Sequence, residues 1–118
     1  MKKARFHLTR QAAKALREIY SHSLKQWGEK SADEYMADLY AVMKKAAINP
    51  EIGRFRAHRA VPFLMAPSGR HFIVYDRLEG GIVILTLLHQ RRDIEKIIAN
   101  RGPSFLVEIE MLKRKTAK

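Results

Sequence analysis

The stretch from Ile82 to Leu88, which reads IVILTLL, constrains the fold of this chain more than any other. A strand that is apolar on both faces has to be covered on both faces, so it belongs inside a sheet rather than at its edge. Glu79-Gly80-Gly81 precedes it and indicates a tight hairpin turn from the β-rich run Arg70 to Arg77. We therefore predict that the two runs pair as neighbouring antiparallel strands, with Ile82 to Leu88 as a central strand.

Two amphipathic helices are predicted before these strands. The first begins at Arg10 after a Thr9 cap and ends at Gly28. The second is opened by a capping box from Ser31 to Glu34 and ends at Asn49-Pro50, because a residue before proline avoids helical geometry. A short turn between them predicts an antiparallel helical hairpin. In the first helix, Ala12, Leu16, Ile19, Tyr20 and Trp27 fall roughly on one stripe.

The remaining segments complete an α+β prediction. Residues 4–8 alternate as a short N-terminal strand, and residues 61–65 form another strand before a turn at Pro67 to Gly69. Residues 93–100 suit a short helix, and residues 104–118 suit an amphipathic C-terminal helix with a basic tip. We expect the helical hairpin to pack on one face of a small, mainly antiparallel sheet, within a domain of residues 1–102 followed by a tail of residues 103–118.

Length and composition narrow the class of protein. The chain has 118 residues, enough for one domain with a core of its own. It has no cysteine, which excludes a disulfide scaffold and a Cys-based zinc site. No stretch is apolar enough for a signal peptide or a membrane span, so the cytoplasm is the expected location.

A net charge of +11 predicts an acidic partner, either nucleic acid or an acidic protein. The positive charge also changes in type along the chain. Residues 1–53 contain seven Lys and three Arg, whereas residues 54–101 contain one Lys and eight Arg. Because arginine holds phosphate or carboxylate with two parallel hydrogen bonds, we expect recognition to lie in the second half.

Few residues in the sequence are candidates for catalysis or for binding a cofactor or metal. No glycine-rich phosphate loop occurs, and the five histidines show no metal-ligand spacing, so no cofactor or metal is expected. His89 lies close to Arg91 and Arg92, which is compatible with acid–base cleavage of RNA. The favoured interpretation is that a buried strand ends at His89 and that Asp93 caps the next helix. A basic segment at Arg54, Arg56 and Arg59 either contacts a partner or is a solvated loop.

A set of short motifs also occurs in a recognisable order and spacing. They are Leu8-Thr9, Leu16 to Tyr20, Trp27-Gly28, Ala32 to Tyr35, Asn49 to Arg54, Arg70 to Tyr75 and Ile84 to Asp93. With these motifs the chain resembles the ParE branch of the RelE/ParE toxin superfamily of bacterial type II toxin–antitoxin systems, from about Phe6 to Asp93. One position departs from the pattern: Thr86 stands where the family usually has arginine.

The resemblance implies a growth-arresting toxin that a co-encoded acidic antitoxin holds inactive in a hetero-oligomer. ParE-like toxins are associated with inhibition of DNA gyrase and are not enzymes. RelE-like relatives cleave mRNA on the ribosome, often with a C-terminal Tyr or His, and this chain has neither after His89. Gyrase inhibition is therefore the favoured expectation, with ribosome-dependent mRNA cleavage, or a non-toxic relative that binds nucleic acid, as alternatives.

The residues expected to contact the target or partner come from the arginine-rich half. They are Arg59, Arg70, His89, Arg91 and Arg92. An alternative contact surface lies on the first helix, at Lys14, Arg17 and Lys25. No residue is expected to be catalytic and none to bind a metal.

Overall fold

The computed structural model describes residues 5–57, 62–90, 107 and 111 of the chain. The fold is α+β, as predicted, with two helices and a mixed five-stranded sheet. In chain order the elements are β1 (Arg5–Leu8), α1 (Arg10–Trp27), α2 (Glu29–Ile48), a 3-10 turn (Pro50–Ile52), β2 (Arg54–Ala57), β3 (Pro62–Ser68), β4 (His71–Leu78) and β5 (Gly81–His89).

The first helix begins as its sequence predicts. Thr9 caps α1, and its Oγ1 accepts a hydrogen bond of 3.0 Å from the Ala12 N–H. The same hydroxyl donates to the Leu85 carbonyl at 2.6 Å and is buried. Thr9 therefore fixes the start of the helix to the interior strand β5.

The start of the second helix differs from the prediction. Gly28 has φ +88° and reverses the chain in a single residue, so α2 begins at Glu29 with Gly28 as its N-cap. The predicted capping box from Ser31 to Glu34 is wrong, because these residues already lie inside the helix. A glycine was required for this reversal, since other residues rarely adopt positive φ.

The strand order in the sheet is β1-β5-β4-β3-β2. β1 pairs with β5 in parallel, and the other neighbours pair antiparallel. The interior position predicted for β5 is confirmed. β2 was not predicted: its four residues, RFRA, read as a basic segment, but they pair with β3 from Arg54↔Met65 to Ala57↔Pro62. The predicted turn at Pro67 to Gly69 is also misplaced, because β3 continues to Ser68.

Two apolar clusters lie on opposite faces of the sheet. The helices contact the first, which includes Leu39, Met43, Tyr75 and Ile84. The second includes Phe63, Met65, Val74, Val83, Leu85 and Leu88. β5 is buried from Ile82 to Leu88, which confirms that its unbroken apolar run serves both faces.

The pairing of β4 with β5 contains a β-bulge. Tyr75 pairs with Ile84 but Val74 pairs with Thr86, so Leu85 is the extra residue. The predicted helix at residues 93–100 and the boundary at residue 102 lie outside the described residues. The predicted C-terminal helix does too, except for Val107 and Met111.

Candidate functional site

A groove of about 460 Å³ opens between α1, the start of α2 and the β4–β5 hairpin. We call it the α1–β5 groove. Its described lining is Gln11, Ala15, Glu18, Ile19, His22, Ser23, Trp27, Ser31, Tyr35, Arg70, His71, Thr86, Leu87, Leu88 and His89. The buried part of this lining is mainly apolar, and its more exposed part is polar or aromatic. A cavity that combines a buried apolar surface with convergent polar groups is typical of a ligand site.

Tyr35 of α2 fastens the turn between β3 and β4 to the helices. Its hydroxyl accepts a 3.0 Å hydrogen bond from the Arg70 N–H and lies 2.6 Å from Nδ1 of His71. A Cβ at Gly69, whose φ is +56°, would come within 2.6 Å of the Tyr35 ring. Burial raises the pKa of the Tyr35 hydroxyl above 10, so the group stays protonated at neutral pH. Tyr35 thus positions Arg70, in the turn, and His71, the first residue of β4.

His71 and His89 form a cross-strand pair at the end of the hairpin. Their ring centroids are 5.3 Å apart and the rings meet edge to face. Burial, together with the nearby His89, His22 and Arg70, lowers the pKa of His71 to about 4. The ring is therefore neutral at pH 7, and its Nδ1 can accept the Tyr35 O–H, which leaves the proton of the imidazole on Nε2.

This environment predicts a measurable dependence of stability on pH. The pKa of His71 lies below its ordinary value of 6.5 in the folded chain, so the unfolded chain binds the proton more readily. The free energy of unfolding therefore falls as the pH drops from 6.5 towards 4. We expect His71→Gln to reduce the fall in the urea midpoint between about pH 7 and about pH 5.

The matched control is His7→Gln, which removes a histidine from β1, outside the groove. That variant should keep the wild-type fall in the urea midpoint. If the urea midpoint of His71→Gln falls as much as that of the wild type, the environment of His71 does not couple folding to protonation.

An aromatic and cationic pair forms the rim of the groove. The guanidinium carbon of Arg70 lies 4.5 Å from the ring centroid of Trp27. Trp27 is 46% exposed, although it falls on the stripe assigned to α1. It is the last residue of α1, where the chain turns at Gly28, and the stripe of buried residues has already ended at Ser23. His22 meets the Trp27 ring edge to face at 6.2 Å, which extends the aromatic rim.

Comparison with known proteins identifies the family. The sequence model described as "ParE toxin of type II toxin-antitoxin system, parDE" matches residues 6–94. The chain belongs to the ParE toxin family. The resemblance inferred from the motifs is thereby confirmed.

Two relatives agree with this assignment, and one solved structure shares the fold. Toxin ParE1 of Mycobacterium tuberculosis (strain ATCC 25618 / H37Rv) is 31% identical over 94 residues, covering 79% of this chain and 96% of the relative. Toxin ParE1 of Caulobacter vibrioides is 28% identical over 85 residues, covering 72% of this chain and 88% of the relative. A structure described as the chromosomal ParDE TA system from P. aeruginosa shares the fold, with a TM-score of 0.63 at 19% identity over 75% of this chain and 98% of that one.

The structure brings two of the five predicted contact residues of this ParE-family chain together. Arg70 and His89 both line the α1–β5 groove. Arg59, Arg91 and Arg92 lie outside the described residues, so their contact roles remain predictions. The alternative residues Lys14, Arg17 and Lys25 are exposed on α1, and Lys14 lies 4.0 Å from Glu18.

Sequence reasoning missed three residues of the groove. Tyr35 was placed on the apolar stripe of α2, Trp27 on that of α1, and His71 received no role. One sequence signal was available for His71, since it starts one strand of a hairpin whose other strand ends at His89. Within residues 5–57 and 62–90, no three His, Cys, Asp or Glu side chains are placed to hold a metal ion. Neither described helix is long and apolar enough to span a membrane.

Proposed function

We propose that this ParE-family chain arrests growth in the cytoplasm by inhibiting DNA gyrase, and that a cognate acidic antitoxin neutralises it in a hetero-oligomer. The observation that carries the proposal is the family match, which runs through the helical hairpin and the sheet as one unit. The net charge of +11 supports both partners, because it accelerates encounter with an acidic protein and with a gyrase–DNA complex.

The groove favours a protein inhibitor over a ribonuclease. An acid–base catalyst works best with a pKa near the working pH. The pKa of His71 is held at about 4, mainly by burial, so at neutral pH its ring is not the imidazolium that acts as a general acid towards a leaving group. The ring of His71 is also in edge contact with that of His89, rather than separated from it by the width of a phosphate.

The target is tested with purified gyrase. We expect the purified chain to reduce gyrase supercoiling of a relaxed plasmid, and an equimolar amount of antitoxin to restore it. Co-expression of the antitoxin should likewise restore growth. Unchanged supercoiling together with cleavage of ribosome-bound mRNA would contradict the gyrase proposal and support the RelE-like alternative.

The effector surface is tested by charge reversal at two places. We propose Arg59, Arg70, His89, Arg91 and Arg92 as the contact set, and we expect Arg91→Glu/Arg92→Glu to abolish growth arrest. The reason is that two guanidinium groups that could hold phosphate or carboxylate become repulsive. Growth after induced expression is the readout, with circular dichroism to verify folding.

The matched control is Arg17→Glu/Lys25→Glu, which makes the same change in charge on the exposed side of α1. It should remain toxic. If the control loses toxicity and Arg91→Glu/Arg92→Glu keeps it, the effector surface is the helical hairpin.

A further inference from the structure

The α1–β5 groove has the size of a small-ligand site. Its volume of about 460 Å³ lies in the range of pockets that enclose one small organic molecule. Ala15, Ile19 and Leu87 provide a buried apolar surface within it.

The rim supplies flat stacking surfaces together with a single guanidinium. Arg70 lies over the Trp27 ring, and His22, Tyr35, His71 and His89 complete the aromatic part of the lining. Unpaired bases bind to proteins mainly by stacking on aromatic rings and on guanidinium planes. A guanidinium stacked on indole keeps its N–H edge free for bidentate contact with phosphate.

The balance of charge favours one anionic group next to an apolar ring. Among the described lining residues, the only lysine or arginine is Arg70 and the only carboxylate is that of Glu18. A peptide with several acidic side chains would find one cation and one repelling carboxylate there. A nucleotide presents one phosphate and one planar base, which matches the single guanidinium and the surrounding rings. The neutral ring of His71, whose Nδ1 accepts from Tyr35, has its Nε2–H as a donor for the polar edge of a base.

We propose that the α1–β5 groove binds an unpaired nucleotide, with the base against its aromatic lining and the phosphate on the guanidinium of Arg70. The ligand is either a free mononucleotide or a nucleotide of a single strand. The inference does not rest on gyrase inhibition, since the binding assay below contains no gyrase.

Trp27 makes the test direct, because it is the single tryptophan of the chain and forms the rim. We expect adenosine monophosphate to change its fluorescence in a saturable way, with adenosine and inorganic phosphate each binding at least about tenfold more weakly. Arg70→Gln should weaken the binding of adenosine monophosphate by about tenfold or more. The backbone N–H of Arg70, which donates to Tyr35, is retained in this variant.

The matched control is Arg77→Gln, an equal loss of charge at an exposed residue of β4 outside the groove. It should change the affinity by less than about twofold. Equal losses in the two variants would overturn the proposal, because they indicate non-specific attraction to a basic chain. The absence of a saturable signal, or displacement of the nucleotide by a poly-glutamate peptide at equal or lower concentration, would overturn it as well.

Two further probes identify the source of the ligand. If a single-stranded oligothymidylate or oligoadenylate binds much more tightly than the mononucleotide, and does so through Arg70, the groove takes a nucleotide of a strand. If strand and mononucleotide bind equally, the ligand is a free nucleotide. Either result supports a nucleotide site.

Discussion

Replacing Thr86 with arginine, the residue that the family pattern favours, is expected to destabilise this chain by about 3–5 kcal/mol, the cost of an unpaired buried charge. Thr86 is 1% exposed. Its cross-strand partner is Val74, a member of the apolar cluster on the face away from the helices. Its neighbours along β5, Leu85 and Leu87, are buried as well, so a guanidinium at this position would have to displace buried apolar side chains. Urea unfolding followed by circular dichroism measures the loss, which is a large part of the stability of an ordinary domain.

The control substitution at the same position is Thr86→Val, which keeps the shape and removes the hydroxyl. The Oγ1 of Thr86 is buried and has no hydrogen-bond partner among the described residues. Since an unsatisfied buried hydroxyl costs about 1–3 kcal/mol, the valine variant should be more stable than the wild type and equally toxic. An arginine variant as stable as the wild type would mean that the side chain at position 86 reaches solvent. Loss of toxicity in a stable valine variant would give the hydroxyl a functional role.

The sequence predicted those parts of the fold in which residues close together in the chain determine the structure. Thr9 predicts the start of α1, because an N-cap needs only a side-chain hydroxyl just before the helix. The apolar run of β5 predicts an interior strand. The misses come from tertiary pairing. Strand β2 is short and contains two arginines, so its pattern resembles a basic loop, and only its ladder with β3 makes it a strand.

The candidate site could be predicted only in part, for a related reason. A regular hairpin with the register of Tyr75↔Ile84 would place His71 opposite Leu88. The bulge at Leu85 shifts the register by one residue and places His71 opposite His89 instead. The position of a bulge cannot be recognised from the sequence of an apolar strand. The pairing of His71 with His89 therefore could not be derived from their spacing in the chain. Trp27 was misassigned because helical periodicity continues to the end of α1, whereas the contact of the helix with the sheet ends earlier.

The second large effect is expected from Gly81→Ala. Gly81 pairs with Arg5, where the parallel strands β1 and β5 meet. A Cβ at Gly81 would overlap the backbone carbonyl of Arg5. Backbone cannot rotate away as a side chain does, so the strands must separate, and we expect a loss of at least about 3 kcal/mol, the upper end of overpacking costs. Urea unfolding measures the loss, and hydrogen exchange at Phe6, His7 and Leu8 should show that β1 opens first.

The neighbouring residue provides the control for that prediction. Gly80 has φ +78°, but a Cβ there would meet open space. Gly80→Ala should therefore lower the free energy of unfolding only by the cost of a left-handed backbone, about 1–2 kcal/mol. If the two variants lose equal stability, the close approach of β1 to β5 at Gly81 does not add to the cost of the substitution.

If Gly81→Ala loses more stability than Gly80→Ala, the effect should extend to the α1–β5 groove. Thr9 connects β1 to α1, and α1 carries Ala15 and Ile19 into the α1–β5 groove. Opening of β1 in Gly81→Ala should therefore also weaken ligand binding there, whereas Gly80→Ala should preserve it.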